Sequence, residues 1–505
     1  MQLGRLIKSI ITLDPELIPE TRIEGLAYDS RKVKSGFLFV ALRGHLQDGH
    51  NFIEAAIKNG AVAVVAESFR EVKKEKSDAV FIEVPDSRAA LAALAATYYV
   101  NPFSGLNLIG ITGTNGKTTT SYLIEAILHE AGAIPGVIGT INYRSLNETW
   151  QAPVTTPESL EVMEILRKMA DDGVTDVVME VSSHALDQGR VRACPFRVAV
   201  FTNLSRDHLD YHHSMEEYFE AKSLLFRGLD KKGGADNPKA VINVDDPRGK
   251  DLIKITNVPA ITYGLRQDCD VRAEDIKTSR TGLTATLITP SGKITIRSAL
   301  IGDYNIYNIM AAAAAALCLG IAHEAISAGV SSLKGVPGRL EAVKNNRSLT
   351  IVVDYAHTPD ALTKALTALK PLVEGGRMIT VFGCGGDRDQ GKRSLMGYAA
   401  CKQSDVVFIT SDNPRTEEPM AIISQIEEGA SQSGATRYNA SSEYKRGQTF
   451  YFIDPDRART IKRAVEMADK NDLILIAGKG HEDYQIIGKE KRHFDDREVA
   501  AEAAS

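Results

Sequence analysis

Short apolar runs, each followed by a stretch with helical spacing, recur along this chain. Near the start they are Gly36-Phe-Leu-Phe-Val-Ala-Leu, Ala61-Val-Ala-Val-Val and Phe81-Ile-Glu-Val, and Asn101-Pro102-Phe103-Ser104-Gly105 breaks the pattern. A second series holds Leu108-Ile-Gly-Ile, Val177-Val-Met-Glu-Val, Val198-Ala-Val-Phe and Ala240-Val-Ile-Asn-Val. Runs that are apolar throughout, rather than alternating, suit strands buried on both faces, so a mostly parallel sheet covered by helices is predicted. Between about 270 and 300, strand-like pieces with a Ser-Gly turn at 291–292 predict an antiparallel patch, and the alanine-rich run 310–317 predicts a packed helix. Lys334-Gly-Val-Pro-Gly338 reads as a linker. The third series is Thr350-Ile-Val-Val-Asp, Met378-Ile-Thr-Val-Phe, Asp405-Val-Val-Phe-Ile-Thr and Leu473-Ile-Leu-Ile-Ala, again separated by helical segments. The expected fold class is α/β in three domains: an N-terminal α/β domain (1–102), a central P-loop ATPase-like parallel sheet with an antiparallel patch (103–337), and a C-terminal Rossmann-like α/β domain (338–505).

Bulk properties narrow the function classes. A length of 505 residues accommodates such domains, and a net charge of −5 gives no footprint for nucleic acid. The five cysteines are scattered without a C-x-x-C pair, which speaks against zinc ribbons and disulfide scaffolds. No apolar run reaches membrane-spanning length, and the N-terminal residues lack a signal-peptide core, so a reducing cytoplasm is the expected location.

The chemistry begins at Leu108-Ile-Gly-Ile-Thr-Gly-Thr-Asn-Gly-Lys-Thr-Thr-Thr120, which orders a strand, a glycine-rich turn and a helix. In that order backbone N–H groups of Gly113, Thr114, Asn115 and Gly116 cradle a polyphosphate, Lys117 reaches its terminal groups and Thr118 offers a hydroxyl to Mg²⁺. The loop is a variant, because the usual first glycine position holds Ile111. Glu180 ends a buried strand, as acids that hold Mg²⁺ or its water do. Asp207, His208, Asp210 and His212 cluster after the strand at 198; they suit a further metal ligand or, equally, helix capping. Lys222, a lone lysine on a helix, reads from its neighbours as solvated. In the third domain four polar loops follow four strands: Asp354-Tyr-Ala-His-Thr-Pro-Asp360, Gly383-Cys-Gly-Gly-Asp-Arg-Asp-Gln-Gly-Lys-Arg393, Asp412-Asn-Pro-Arg-Thr-Glu417 and Gly478-Lys-Gly-His-Glu-Asp483. Loops at the C-terminal ends of parallel strands are where such folds bind ligands.

These segments together resemble the Mur ligase family. The resemblance spans nearly the whole chain and adds Asp29-Ser-Arg-Lys-Val-Lys-Ser-Gly, Phe39-Val-Ala-Leu-Arg-Gly, Thr155-Thr-Pro, Met179-Glu-Val-Ser-Ser-His, Asn305-Ile-Tyr-Asn308 and Pro337-Gly-Arg-Leu-Glu to the motifs above. It implies an ATP- and Mg²⁺-dependent amide ligase of peptidoglycan synthesis. A carboxylate of UDP-N-acetylmuramoyl-L-alanyl-D-glutamate would be activated as an acyl phosphate and attacked by the amine of meso-diaminopimelate. The resemblance further implies that Lys117, Glu180, His208 and Lys222 are catalytic, with Lys222 carbamylated, and that Thr118, Glu180, His208 and the carbamate hold Mg²⁺. Gly113 to Thr119, Asn305, Asn308, Arg339 and Asp354 would bind ATP. Ser30, Thr155, Thr156, Ser182, Gln188 and Arg190 would hold the UDP-linked substrate, so that 1–102 is a UDP-muramoyl-binding domain. Arg388, Asp412, Asn413, Pro414, Arg415, Gly478 and Glu482 would hold diaminopimelate. The partners expected are these small molecules alone, and the expected state is a monomer. A folate polyglutamate ligase fits less well, since about a hundred residues precede the phosphate loop. His213 stands where the family commonly has glycine, and 431–452 is unfamiliar.

Overall fold

A computed structural model describes residues 1–11, 20–44, 47–70, 77–146, 148–229, 236–438 and 447–505. The chain divides into two compact units, one of residues 1–271 with 311–326 and one of 272–310 with 327–505.

The first unit opens with a small parallel sheet of β1 (Gly25–Ala27), β2 (Phe37–Val40), β3 (Ala61–Ala66) and β4 (Val80–Glu83), in that order. The larger sheet is built from β5 (Asn107–Thr112), β6 (Pro135–Ile138), β7 (Asn142–Ser145), β8 (Glu148–Gln151), β9 (Asp176–Glu180), β10 (Phe196–Phe201), β11 (Lys239–Asn243) and β12 (Ala260–Gly264). Their spatial order is β12-β11-β10-β5-β9-β6-β7-β8, parallel from β12 to β6 and antiparallel at β7 and β8. Strand β5 therefore lies between β9 and β10, with Ile111 beside Glu180 and Thr112 beside Phe201. All residues of β9 are buried, as are all but the first of β5, which accounts for their uninterrupted apolar character.

The second unit contains the predicted antiparallel patch: β13 (Val271–Ser279), β14 (Gly282–Thr289) and β15 (Gly292–Ser298) form a meander. The alanine-rich run falls in the helix Asn305–Cys318. The Rossmann-like sheet comprises β16 (Glu341–Ala342), β17 (Thr350–Asp354), β18 (Met378–Phe382), β19 (Val406–Ile409), β20 (Thr436–Arg437), β21 (Phe450–Ile453) and β22 (Leu473–Ala477), ordered β16-β17-β22-β18-β19-β21-β20. Only β16 runs antiparallel. A hairpin of β23 (Tyr484–Ile487) and β24 (Glu490–His493) follows. The four polar loops of the sequence thus leave the C-terminal ends of four adjacent parallel strands, β17, β22, β18 and β19. Beneath two of them a fully buried Arg457 binds Asp496 at 2.7 Å and donates to the carbonyls of Ser411 and Ala477, where β19 and β22 end. Of the unfamiliar stretch 431–452, residues 439–446 lie outside the described residues.

Candidate active site

The turn after β5 is shaped by two glycines at positive φ. Gly113 has φ +146° and Gly116 φ +89°, and a side chain on Gly113 would overlap Thr202 Oγ1. The helix Lys117–Glu130 starts at once, so its first N–H groups face the turn. The end of β10 holds the loop from outside. Asn203 accepts from the N–H of Asn115 at 3.0 Å, while its carbonyl accepts from the N–H of Thr114 at 2.8 Å. Thr202 Oγ1 donates to Asn115 O at 2.6 Å. The Lys117 ammonium is folded over the turn, donating to Gly113 O at 2.8 Å and Thr114 O at 3.0 Å.

Glu180, at the end of β9, is 1% exposed. Its carboxylate accepts from Thr118 Oγ1 and Thr140 Oγ1, both at 2.9 Å, and from the N–H of Thr140 at 3.0 Å. A hydroxyl and a carboxylate in contact are hard oxygen donors of the type that Mg²⁺ takes.

Lys222 corrects the solvated reading of its neighbours. It is 1% exposed, on the buried face of the helix Met215–Arg227, and its amine donates to Gly113 O at 3.0 Å. Two lysines thus converge on one carbonyl of the phosphate turn. Burial, and then the Lys117 charge, push the Lys222 amine well below its usual pKa. Tyr218, one helical turn earlier, lies with its ring 4.4 Å from the amine and its hydroxyl 3.2 Å from Thr114 Oγ1.

His208 adopts φ +53° and precedes the short helix Leu209–His212, but no side chain of the cluster caps that helix; Asp207 instead accepts from the N–H of His208 at 2.9 Å. Burial and the two lysines lower its pKa, against the pull of Asp207. Its ring packs edge-on to His184 with centroids 4.9 Å apart, and His212 shares a 2.9 Å hydrogen bond with Ser183. Burial and these neighbouring imidazoles bring His184 down to about 4. Among the described residues, no three His, Cys, Asp or Glu side chains are grouped to hold a metal ion. His213 has φ +58°, the left-handed region that explains the preference for glycine there.

Most of the expected UDP-substrate residues meet in the same unit. Thr155 shares a hydrogen bond with Thr140 at 3.1 Å, and Thr156 Oγ1 donates to Glu180 O at 2.8 Å while accepting from the N–H of Ser182 at 3.1 Å. Arg190 donates to Thr156 O at 2.8 Å and to Gln188 Oε1 at 2.7 Å. Ser30 makes no hydrogen bond to this group; it starts the turn after β1, where its carbonyl accepts from Asn59.

In the second unit, buried Asn308 donates to Asn305 at 2.8 Å, and Asn305 donates to Ile301 O at 2.7 Å. Asp354 accepts from the N–H groups of Leu340 and Ala356, both at 2.8 Å; burial raises its pKa although Arg339 opposes this. The Arg339 guanidinium lies 4.9 Å from the Tyr355 ring centre.

The loops after β18, β19 and β22 interlock. Arg415 has φ +51° and donates to Gly386 O at 2.8 Å, which ties the β19 loop to the β18 loop. Arg388 is exposed and makes no hydrogen bond or ion pair among the described residues. Asn413 donates to Glu482 at 3.0 Å, and Gln485 donates to Asp412 O at 2.7 Å. Pro414 is buried between Asn413 and Arg415, and Gly478 takes φ +115° where β22 turns. Burial, then Asp412, raises the pKa of Glu482. The three loops therefore bring Asp412 and Glu482 together with Arg415, while Arg388 stays exposed on the β18 loop.

Family models described as the Mur ligase family catalytic domain, the Mur ligase middle domain and the Mur ligase glutamate ligase domain match residues 22–99, 111–316 and 338–480. A UDP-N-acetylmuramoyl-L-alanyl-D-glutamate–2,6-diaminopimelate ligase of Geobacter metallireducens is 49% identical over 95% of this chain and 94% of its own length. The chain belongs to the Mur ligase family. A like-named protein of Geobacillus kaustophilus is 46% identical over the same shares of the two chains. A solved structure of a UDP-N-acetylmuramoyl-L-alanyl-D-glutamate–2,6-diaminopimelate ligase superposes with a TM-score of 0.70 at 35% identity, covering 100% of this chain and 99% of that one. The three-domain α/β fold class expected from the sequence is that of a Mur ligase.

Several residues that shape this Mur ligase's site went unmarked in the sequence. Thr140 sits after β6 with no motif around it, yet it supplies two of the three hydrogen bonds described for the Glu180 carboxylate. Tyr218 carried one usable signal, its four-residue spacing from Lys222 on a helix. Arg393 is fully buried and clamps Glu417 through two bonds at 2.8 and 2.9 Å while donating to Gly385 O, which braces the two loops carrying Arg388 and Arg415.

Proposed function

We propose that this chain is an ATP-dependent ligase that joins meso-diaminopimelate to UDP-N-acetylmuramoyl-L-alanyl-D-glutamate in the cytoplasmic assembly of peptidoglycan precursors, acting as a monomer. The observation that carries this reading is the convergence of Lys117 and Lys222 on the carbonyl of Gly113, beside a Thr118–Glu180 contact. The names of the full-length relatives support the same substrates. The three matched segments support a three-part division of the chain, and we assign UDP-substrate, ATP and amino-acid binding to 1–102, 103–337 and 338–505 in turn.

A carboxylate is a poor electrophile, and transfer of a phosphoryl group to it first brings anions together. Within the Gly113–Thr119 turn, the N–H groups at the start of the helix Lys117–Glu130 and the Lys117 charge offset that repulsion as the γ-phosphoryl group passes to the glutamate carboxylate. Asn305, Asn308, Arg339 and Asp354 are assigned to the same nucleotide. Thr155, Thr156, Ser182, Gln188 and Arg190, with Ser30, orient the UDP-linked dipeptide. Asp412, Asn413 and Glu482 take the far ammonium of diaminopimelate, Arg415 and Arg388 take its far carboxylate, and Pro414 and Gly478 shape the turns that present them. The near amine then attacks the acyl phosphate; an amide forms, phosphate leaves and the amine loses a proton. Thr118, Glu180, His208 and a carbamate on Lys222 would hold Mg²⁺, which supplies positive charge to the phosphate oxygens.

Incubation of the protein with ATP, the UDP-linked dipeptide and diaminopimelate is expected to release phosphate in step with a new amide product, read by mass spectrometry. Phosphate release that ignores the dipeptide would overturn the reading. The carbamate has its own test. Burial lowers the pKa of the Lys222 amine, which favours its neutral form, and a neutral amine adds carbon dioxide and loses a proton to become an anionic oxygen ligand. With ¹³C-bicarbonate, a carbamate resonance is expected in the unaltered protein and none in Lys222→Arg; identical spectra would remove Lys222 from the metal site.

A further inference from the structure

Lys479 lies in the loop after β22, between two glycines, and its side chain has no exposed surface. Its ammonium donates to Tyr484 O at 2.6 Å and to Asn413 Oδ1 at 3.1 Å. It also sits 3.3 Å from Asp412 Oδ1 and 3.7 Å from Glu482 Oε2. The same Asn413 oxygen accepts from the N–H of Ile486 at 2.9 Å, so the Asn413 amide is fixed with its NH₂ toward Glu482. Asn413 thus accepts directly from this buried cation, and Asp412 and Glu482 lie within ion-pair distance of it. A charge in that position is stable only while those partners surround it, and they in turn keep one arrangement only while it is there.

The charge count matters as much as the geometry. Asp412 and Glu482 bring two negative charges, and Lys479 cancels one of them from below. One negative charge remains for a substrate ammonium, while a substrate carboxylate is left to Arg415 and Arg388. This balance fits an amino-acid end that carries both charges. Without Lys479 the two carboxylates would favour a substrate end that is cationic only.

We propose that Lys479 is a positioning residue that sets the choice of amine substrate: it locks Asp412, Asn413 and Glu482 together and removes one of their charges, matching the pocket to a zwitterionic end instead of a bare ammonium. This rests on the reading that these loops bind diaminopimelate, and the two are separable by experiment. Initial rates are measured with diaminopimelate and with lysine for the unaltered protein, Lys479→Met and Lys479→Gln. Failure of the unaltered protein to ligate diaminopimelate overturns the function reading itself. With that activity present, both variants are expected to raise the KM for diaminopimelate and lower the diaminopimelate-to-lysine ratio of kcat/KM by about tenfold or more, with the KM values for ATP and the UDP-linked dipeptide unchanged. A merely structural role would lower kcat for both amines together and leave the ratio alone, and that result in a folded variant overturns the proposal. Gln keeps a donor for Asn413 and Tyr484, so it decides the matter if the Met variant does not fold.

Discussion

Lys117→Ala is expected to lower ligation by about 10³-fold, the scale on which a preorganised charge at a developing anion acts. The loss should fall on turnover. The turn that surrounds Lys117 is held by Asn203 and Thr202, and by glycine backbone angles that do not depend on the lysine. Thermal unfolding should therefore change little, whereas phosphate release and amide formation collapse together. Lys222, buried beside the turn and assigned an anionic carbamate, cannot stand in for a cation at the terminal phosphate. Amide formation by Lys117→Ala at the unaltered rate would refute the acyl-phosphate route. Quenched-flow detection of phosphate, with mass spectrometry of the product, provides the measurement.

Arg415→Ala should raise the KM for diaminopimelate by about 10²-fold, as expected when one partner of a desolvated charge pair is removed. Lysine should be affected little, because it lacks the carboxylate that Arg415 grips. Arg415 now donates to Gly386 O, and its planar fork leaves further N–H groups for a carboxylate. The backbone at φ +51° penalises alanine, so Arg415→Asn, which tolerates that region, separates strain from lost recognition. Arg415→Lys keeps the charge and loses the fork, and an intermediate effect is expected. Competition between the two amines under initial-rate conditions reads the outcome; an unchanged preference in the Ala and Asn variants would remove Arg415 from the amino-acid pocket.

The parts of this molecule that were legible in the sequence are those whose signal is local. Buried parallel strands such as β5 and β9 must be apolar throughout, and ligand loops must follow their C-terminal ends, so the phosphate turn, Glu180 and the four loops of the last domain all stood out. Residues whose environment is assembled from distant segments did not. Lys222 is flanked by Glu220 and Ala221 and looks like a surface lysine; it is buried only because its helix presents that face to a carbonyl 109 residues away in sequence. Lys479 finds Asn413 across 66 residues, and nothing between its two glycines announces that partner. Thr140 reaches Glu180 across 40. For Lys222 the family resemblance supplied what spacing could not, and the burial of its amine gives the chemical reason.

The arrangement of the last sheet bears on how such enzymes diversify. The side chains of β18, β19 and β22 are all buried, and the groups proposed to meet the amino acid hang from the turns beyond them. Exchanging one turn for another would redraw the amine specificity with little disturbance to the hydrophobic interior. Selection on cell-wall composition could thus act on a handful of loop positions while the hydrophobic core beneath them stayed as it was.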